Sequence, residues 1–388
     1  MATDSIAVRK PPLYGLRVLD LTRLLPGALC TQHLADMGAD VIKVEDTGQG
    51  DYARSMRGYF RLVNRNKRSM RIDLKHEQGR AIFFRLLETA DVLFEGFRPG
   101  VVQRLGIDYE TVSGINPAIV YCSLSGYGQD GPYRLKAGHD LNYCSEIGVT
   151  DQTGEAGGDP VVANFQIADM IGGTLASAMG ILAALVDVQR SGQGRYVDVA
   201  MADCTLAHSI MPMMDFNETG RATDRGRSFL SGGLPWYSIY RTRDDKYMAL
   251  GALEQKFWQA FCETVDRADW IDKQSADEQT LEAIREELAT LFNSQPQQYW
   301  VDRFRDVDCC LSPVVAQDQV VRHEQFRARR MVIDRKGYLE YGFPLKISDF
   351  EFAVDREPPE HGQHTGEILT ELGYAAENIE AAKASGII

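Results

Sequence analysis

Short apolar runs alternate with amphipathic stretches through the first part of the chain. Residues 16–21 (LRVLDL), 39–44 (ADVIKV), 69–74, 91–97 (DVLFEGF) and 119–124 are rich in β-branched or aromatic residues and bounded by turns or charges. Such runs read as strands buried on both faces. Between the first two, Pro26 is placed to open a helix at its first position, and Gly38 stops that helix. Residues 76–90 put Ile82, Phe83, Leu86, Leu87 and Ala90 on one helical face. Strand, helix and strand in succession predict parallel pairing, because parallel neighbours need a long crossover.

The texture changes further along. Residues 166–188 are apolar almost throughout, with small residues at Ala168, Gly172, Gly173, Ala176, Ala178 and Gly180. Asp169 and Asp187 bracket this stretch too closely for a membrane span, so it reads as a buried core helix. A turn at Ser191-Gly192-Gln193-Gly194 leads to a strand at 196–200 and a helix at 201–214. Residues 217–233 (NETGRATDRGRSFLSGG) are polar and glycine-rich, the composition of a linker. A second, smaller domain is expected over 234–330. It holds a hairpin of 236–241 and 246–250 around Arg243-Asp244-Asp245, then helices near 255–265, 280–292 and 297–304. Two short helices, 366–372 and 376–384, close the chain.

Composition narrows the function classes. A net charge of −13 argues against a nucleic-acid surface, which needs a concentrated excess of Lys and Arg. The seven cysteines are scattered without CxxC spacing, which suits free thiols in a reducing compartment and makes a metal site improbable. No signal-like apolar segment opens the chain, and no uninterrupted apolar run reaches spanning length, so a cytoplasmic protein without a membrane span is expected. The first turn reads Thr22-Arg23-Leu24-Leu25-Pro26-Gly27 and lacks GxGxxG, which argues against a nicotinamide or flavin enzyme.

Candidate chemistry gathers where strands end. The strand at 119–124 runs into a glycine-rich loop that finishes on Gly138, His139 and Asp140. Open α/β sheets hold their ligands at that edge. A second acid, Asp169, starts the apolar helix, and Arg98 follows the strand at 91–97. Asp140 is expected to cap the turn or hold the His139 ring. Glu254 is placed to cap the helix after the hairpin. Arg61, Arg65, Lys67 and Arg68 crowd one polar segment, which is either a solvated loop or a basic lip for a phosphate-bearing ligand. The vicinal Cys309 and Cys310 read as core filling.

Several segments also carry a family resemblance. GLRVLDLTRLLPGALCTQHLADMGADVIKVE, NKRSMRIDLKHEQGR, DVLFEGFRPGV, SGYGQDGPY and GQHTGEILTELGY resemble, in order and through nearly the whole chain, the motifs of the family III CoA transferases, the formyl-CoA and carnitine-CoA transferase superfamily. GHDLNY is similar to the histidine-bearing motif of the α-methylacyl-CoA racemase branch, a histidine that the transferase branch generally lacks. GALEQKFW, with Glu254, and CLSPV, with Cys310, are similar to racemase segments as well.

The resemblance implies an α/β fold: a large Rossmann-like domain with a parallel sheet, a smaller α+β domain, and an interlocked homodimer. The large domain would be built from 1–216 and, after the small domain, 331–388. The substrate implied is an acyl-CoA thioester, with coenzyme A part of the substrate and no separate cofactor or metal. His139 and Asp169 become the paired bases, with Asp140 and Glu254 supporting them. Lys43, Arg68, Arg98 and Gly138 become the substrate and CoA contacts. Met201, Met211, Met213 and Met214 either pack a core or face the acyl chain.

Racemisation at the carbon beside a thioester removes one proton to give an enolate and returns another from the opposite face. Two bases are needed, one neutral and one protonated. An ordinary imidazole and an ordinary carboxyl ionise near about 6.5 and about 3.9, so the site has to bring them together. Backbone amides at the start of the helix near Asp169 are the expected donors to the enolate oxygen. The rival chemistry is CoA transfer between carboxylic acids, with Asp169 as nucleophile and carrier of an aspartyl thioester. A protein that only binds acyl-CoA would leave the His139 and Asp169 pair without a task.

Overall fold

The computed structural model describes residues 9–388. Its centre is a six-stranded sheet, β1 (Arg17–Leu21), β2 (Asp40–Glu45), β3 (Arg68–Arg71), β4 (Val92–Glu95), β5 (Val120–Ser125) and β6 (Arg195–Ala200), in the order β3-β2-β1-β4-β5-β6. Every pairing is parallel. All residues of β4 and β5 are buried, which is why these strands read as continuous apolar runs rather than alternating ones. Leu19, Ile42, Leu93 and Tyr121 share one core with Phe83, Leu86 and Leu87 of the helix Glu77–Leu87. Ile368 and Leu369 of Thr365–Glu371 and Ile379 of Ala376–Ala384 complete that core.

Two elements differ from their expected form. Helix α1 (Leu24–Asp36) begins ahead of Pro26, at a leucine with φ +61°, a backbone region that L-residues other than glycine rarely adopt. The long apolar segment is a π-helix over Ala168–Leu175 that passes into an α-helix over Ala176–Ser191. Close packing accounts for its small residues. A Cβ on Gly172 would lie 2.2 Å from the carbonyl oxygen of Met201, and one on Gly173 would lie 2.6 Å from Pro26 Cβ. By length and composition alone Ala168–Ser191 would suffice to cross a membrane, but it packs on β5, β6, α1 and the helix Met201–Leu206.

The chain divides into two compact units. One comprises the chain up to Ile147, Asn164–His208 and Ala328–Ile388; the other comprises Gly148–Ala163 and Ser209–Arg327. The predicted helix at 201–214 is therefore two helices, Met201–Leu206 and Ile210–Thr219, one in each unit. The predicted linker 217–233 is folded into the second unit. Arg225 Nε donates to the Asp151 carbonyl at 2.5 Å and Nη1 to that of Gly158, and the Gly233 amide closes a turn onto Ser228 at 2.9 Å. Polar, glycine-rich composition concealed this because its order comes from backbone carbonyls, not from apolar side chains. An antiparallel sheet of Tyr237–Arg241, Tyr247–Gly251 and Leu311–Pro313 lies in this unit. Its core contains Trp236, Trp258, Trp270 and Trp300, all four tryptophans of the chain.

Candidate active site

Strand order reverses between β1 and β4, and open α/β sheets form their ligand crevice at such a point, beyond the carboxyl ends of the strands. A cavity of about 530 Å³ lies there, wholly within the first unit. Its walls are residues 22–26 after β1, 96–99 after β4 and 124–126 at the end of β5, with Tyr59, Arg134, Gly138, His139, Tyr143, Gln166, Asp169 and Met201. Five residues singled out from sequence, Arg98, Gly138, His139, Asp169 and Met201, thus line one space.

His139 occupies the N-cap position of the helix Asp140–Glu146, and its backbone amide donates to Asn142 Oδ1 at 3.0 Å. This bond orients the cap through the main chain and leaves the imidazole exposed to the cavity. The loop before it is braced by buried Tyr143, whose hydroxyl donates to the Gly138 carbonyl at 2.6 Å. A Cβ on Gly126 or Gly138 would come within 2.4 or 2.6 Å of the Tyr143 ring. Gly138 therefore lines the cavity and also leaves room for the ring that fixes His139.

Asp140 links the two candidate bases. Its Oδ1 accepts the amides of Ala168 at 2.7 Å and Asp169 at 3.1 Å. The carboxylate next to His139 in sequence thereby anchors the first turn of the π-helix, and Asp169 with it. π-Helical turns recur at functional sites because they displace a side chain from the regular helical surface. The same bonds correct the expected oxyanion donors. The Ala168 and Asp169 amides are already engaged by Asp140, and that of Met170 donates to Gln166 at 2.9 Å.

Asp169 is half-buried. Burial, and then the charge of Asp140, raises its pKa to about 6, into the range of an ordinary imidazole. Its field reaches the neighbouring phenols. Burial and Asp169 push Tyr143 up to about 12 and Tyr59 higher still. Arg98 and Arg134 are exposed, and neither guanidinium is engaged in an ion pair among the described residues. They are the cations free to meet an anionic ligand in this cavity. Tyr59, Tyr143 and Arg134 were not singled out from sequence. Tyr143 lies in the GHDLNY stretch, where only its place one helical turn after His139 could have drawn notice.

A second cavity, of about 550 Å³, shares Thr22, Arg23 and Phe97 with the first and extends along the sheet edge past Thr47, Gly48, Ile72, Leu74 and Lys75. Lys75 is exposed there. Among the described residues no three His, Cys, Asp or Glu side chains are grouped to hold a metal.

Neither Lys43 nor Arg68, expected as substrate contacts, lines either cavity. Lys43 is wholly buried, with Nζ bonded to the Thr22 carbonyl at 2.9 Å and paired with Asp51 at 2.8 Å. The Arg68 guanidinium binds Asp40, Glu367 and Glu371. The rest of the expected basic lip also turns inward. Arg65 pairs with Asp36 at 2.7 Å, Lys67 with Asp20 at 3.1 Å, and Arg61 with Glu340 at 3.2 Å.

These inward charges support the cavity from behind. Asp20 accepts the hydroxyls of Thr22 and Thr31, each at 2.6 Å. Burial alone would raise the Asp20 pKa, but Lys43, Lys67 and the two hydroxyls outweigh it and hold it at about 2. Asp51 accepts the Leu24 amide at 3.0 Å, which secures the left-handed residue at the cavity wall. Lys43→Met leaves two buried carboxylates without this ammonium. The expected loss is about 3–5 kcal/mol of stability. Urea denaturation checks this, and an unchanged midpoint with weakened CoA binding would return Lys43 to the ligand contacts.

Glu254 lies in the second unit, exposed at the N-cap of the helix Gln255–Thr264, and makes no side-chain cap bond there. Met201 is buried and lines the cavity. Met211, Met213 and Met214 belong to Ile210–Thr219, which buries none of its residues, so core packing does not account for them. Cys309 is buried, whereas Cys310 is exposed at φ +57° and fills no core.

Comparison with known proteins agrees with this architecture. Residues 13–365 match the family model described as CoA-transferase family III. The human protein named alpha-methylacyl-CoA racemase is 33% identical, over 97% of this chain and 97% of its own. The acetyl-CoA:oxalate CoA-transferase of Acetobacter aceti is 32% identical, over 92% of this chain and 94% of its own. The crystal structure of a CAIB/BAIF family protein from Brucella suis superposes with a TM-score of 0.82 at 29% identity, covering 94% of this chain and 100% of that one. With a parallel-sheet fold shared along almost its whole length and a family model spanning both units, the chain belongs to CoA-transferase family III.

Proposed function

We propose that the protein is a 2-methylacyl-CoA racemase or epimerase that moves the α-proton through an enolate, using His139 and Asp169. The observation that carries this reading is that both groups line one cavity, with the loop of one tied to the helix of the other through Asp140. A raised Asp169 can be protonated or ionised near neutral pH, as a two-base exchange requires. With neutral His139 and protonated Asp169, His139 removes the proton of one enantiomer and Asp169 returns one to the other face. For the opposite enantiomer the proton starts on His139 and the roles exchange.

In this reading the thioester lies between the two bases. The anionic part of coenzyme A meets Arg98 and Arg134 and continues into the second cavity towards Lys75. The interlocked homodimer, a supporting role for Glu254 and a cytoplasmic location belong to the same proposal.

CoA transfer through an aspartyl thioester on Asp169 is the second reading, favoured by relatives such as the acetyl-CoA:oxalate CoA-transferase. The Asp169 carboxyl serves both chemistries; His139 has a direct task only in the first. Incubating one enantiomer of a 2-methylacyl-CoA with and without succinate or oxalate separates them. Inversion that does not depend on the acid is expected. Retention of configuration with CoA appearing on the added acid would establish the transferase instead.

A further inference from the structure

One buried carboxyl behind the cavity joins two of its walls. Glu95 ends β4 at 1% exposure, and among the described residues no cation pairs with it. It stands opposite Ser123 of β5, which stands opposite Asp198 of β6. Glu95 Oε2 accepts the Phe97 amide at 2.7 Å, which shapes the turn at 96–99 that carries Arg98. Its Oε1 accepts the Ser123 hydroxyl, and that hydroxyl oxygen accepts Gln129 Nε2 at 2.8 Å. The Gln129 backbone amide donates to Asp198 Oδ2 at 3.0 Å. Gln129 belongs to the loop after β5, whose far end presents Arg134 and His139 to the cavity.

Neither Glu95 nor Ser123 lines the cavity. An unpaired carboxyl in such a place is unfavourable when ionised. Burial, with a smaller contribution from Asp198, raises its pKa to about 7 even though the Ser123 and Phe97 hydrogen bonds oppose the rise. A packing role alone would be met by an apolar side chain. What this carboxyl supplies is a pair of acceptors, one for the Phe97 amide of the Arg98 turn and one for Ser123 of β5, which in turn accepts from Gln129 in the loop that follows.

We infer that Glu95 is a positioning residue: its two oxygens hold the Arg98 turn and the His139 loop at a fixed separation, keeping the anion-binding group and the proton-transfer group in register. The assignment of those two tasks rests on the function proposed above. Small displacements of a catalytic group lower rates steeply, because the reacting atoms leave their attack distance.

The test uses the full-length protein and the variants Glu95→Ala, Glu95→Gln and Gln129→Ala. Gln129→Ala keeps the backbone bond to Asp198 but loosens the loop that carries Arg134 and His139, while the Arg98 turn stays held, so kcat for α-proton exchange is expected to fall on the order of tenfold with a smaller rise in KM, within about threefold. Glu95→Ala releases both walls, lowering kcat and raising KM together. Glu95→Gln retains a carbonyl for the Phe97 amide and offers its own N–H to Ser123, and it is expected to recover most of both parameters. A folded Gln129→Ala protein with wild-type kcat and KM would overturn the inference, and so would Glu95→Gln being as impaired as Glu95→Ala. Should Glu95→Ala fail to fold, Gln129→Ala and Glu95→Gln decide. If the wild-type protein catalyses no α-proton exchange, the proposed activity is what fails. Calorimetric titration with coenzyme A then decides the positioning role: binding weakened more in the most disruptive folded Glu95 variant than in Gln129→Ala upholds it, and equal affinity in all three overturns it.

Discussion

Asp169→Asn is expected to lower α-proton exchange on the order of 10²–10⁴-fold and, at the same time, to raise the thermal stability of the protein near neutral pH. The loss of activity follows because asparagine neither accepts nor returns a proton. The gain in stability follows from linkage. Burial and Asp140 raise the folded-state pKa of Asp169 from 3.8 to about 6, so the fold favours the neutral acid. For an acid raised in this way, the stabilising contribution is complete below the unfolded pKa and is lost as pH rises through about 6. At neutral pH the carboxylate is therefore a net burden, on the order of 1–3 kcal/mol after allowance for its partial exposure. Asparagine removes that burden and keeps the size of the side chain. Melting curves of wild type and variant should differ most near neutral pH and converge toward about pH 4. A variant that melts lower than wild type at neutral pH would contradict the raised acid.

His139→Ala is expected to lower racemisation by a similar 10²–10⁴-fold while leaving the fold intact. Its imidazole is exposed, and alanine preserves the bond from the residue-139 backbone amide to Asn142. The melting temperature should shift little, because the variant removes no buried contact. The contrast between the two variants identifies the chemistry. In a two-base racemase both abolish inversion. In a transferase Asp169→Asn abolishes activity and His139→Ala retains CoA transfer to an added acid. Inversion that survives in His139→Ala would remove His139 from the pair.

What the sequence made legible, and what it did not, follows from where each signal is written. The inner strands β4 and β5 were readable because burial on both faces leaves an apolar run, and Ala376–Ala384 because a short helix lay beyond a turn. The His139 loop was readable as the exit of such a strand. The basic cluster misled because sequence shows how many charges lie close together, not which way they point. Its partners, Asp20, Asp36 and Glu340, are distant in the chain. The acceptor role of Asp140 was half visible: a cap was expected, but not that it would anchor the turn 28 residues later. The folded segment at 217–233 was hidden because bonds from Arg225 to carbonyls leave no pattern in composition. Tyr143 was unreadable as a brace, since its place depends on the absence of side chains at Gly126 and Gly138.

The central claim is that His139 and Asp169 exchange a proton at the carbon beside the thioester, and α-proton exchange tests it most directly. A single enantiomer of a 2-methylacyl-CoA is incubated with the protein in deuterated water, without any acceptor acid, and the α-position is followed by mass spectrometry or NMR. Deuterium should enter at that position as the centre inverts, and His139→Ala should stop it. A fully protonated α-carbon with the wild-type protein, together with CoA passing to succinate or oxalate once either is added, would contradict the account.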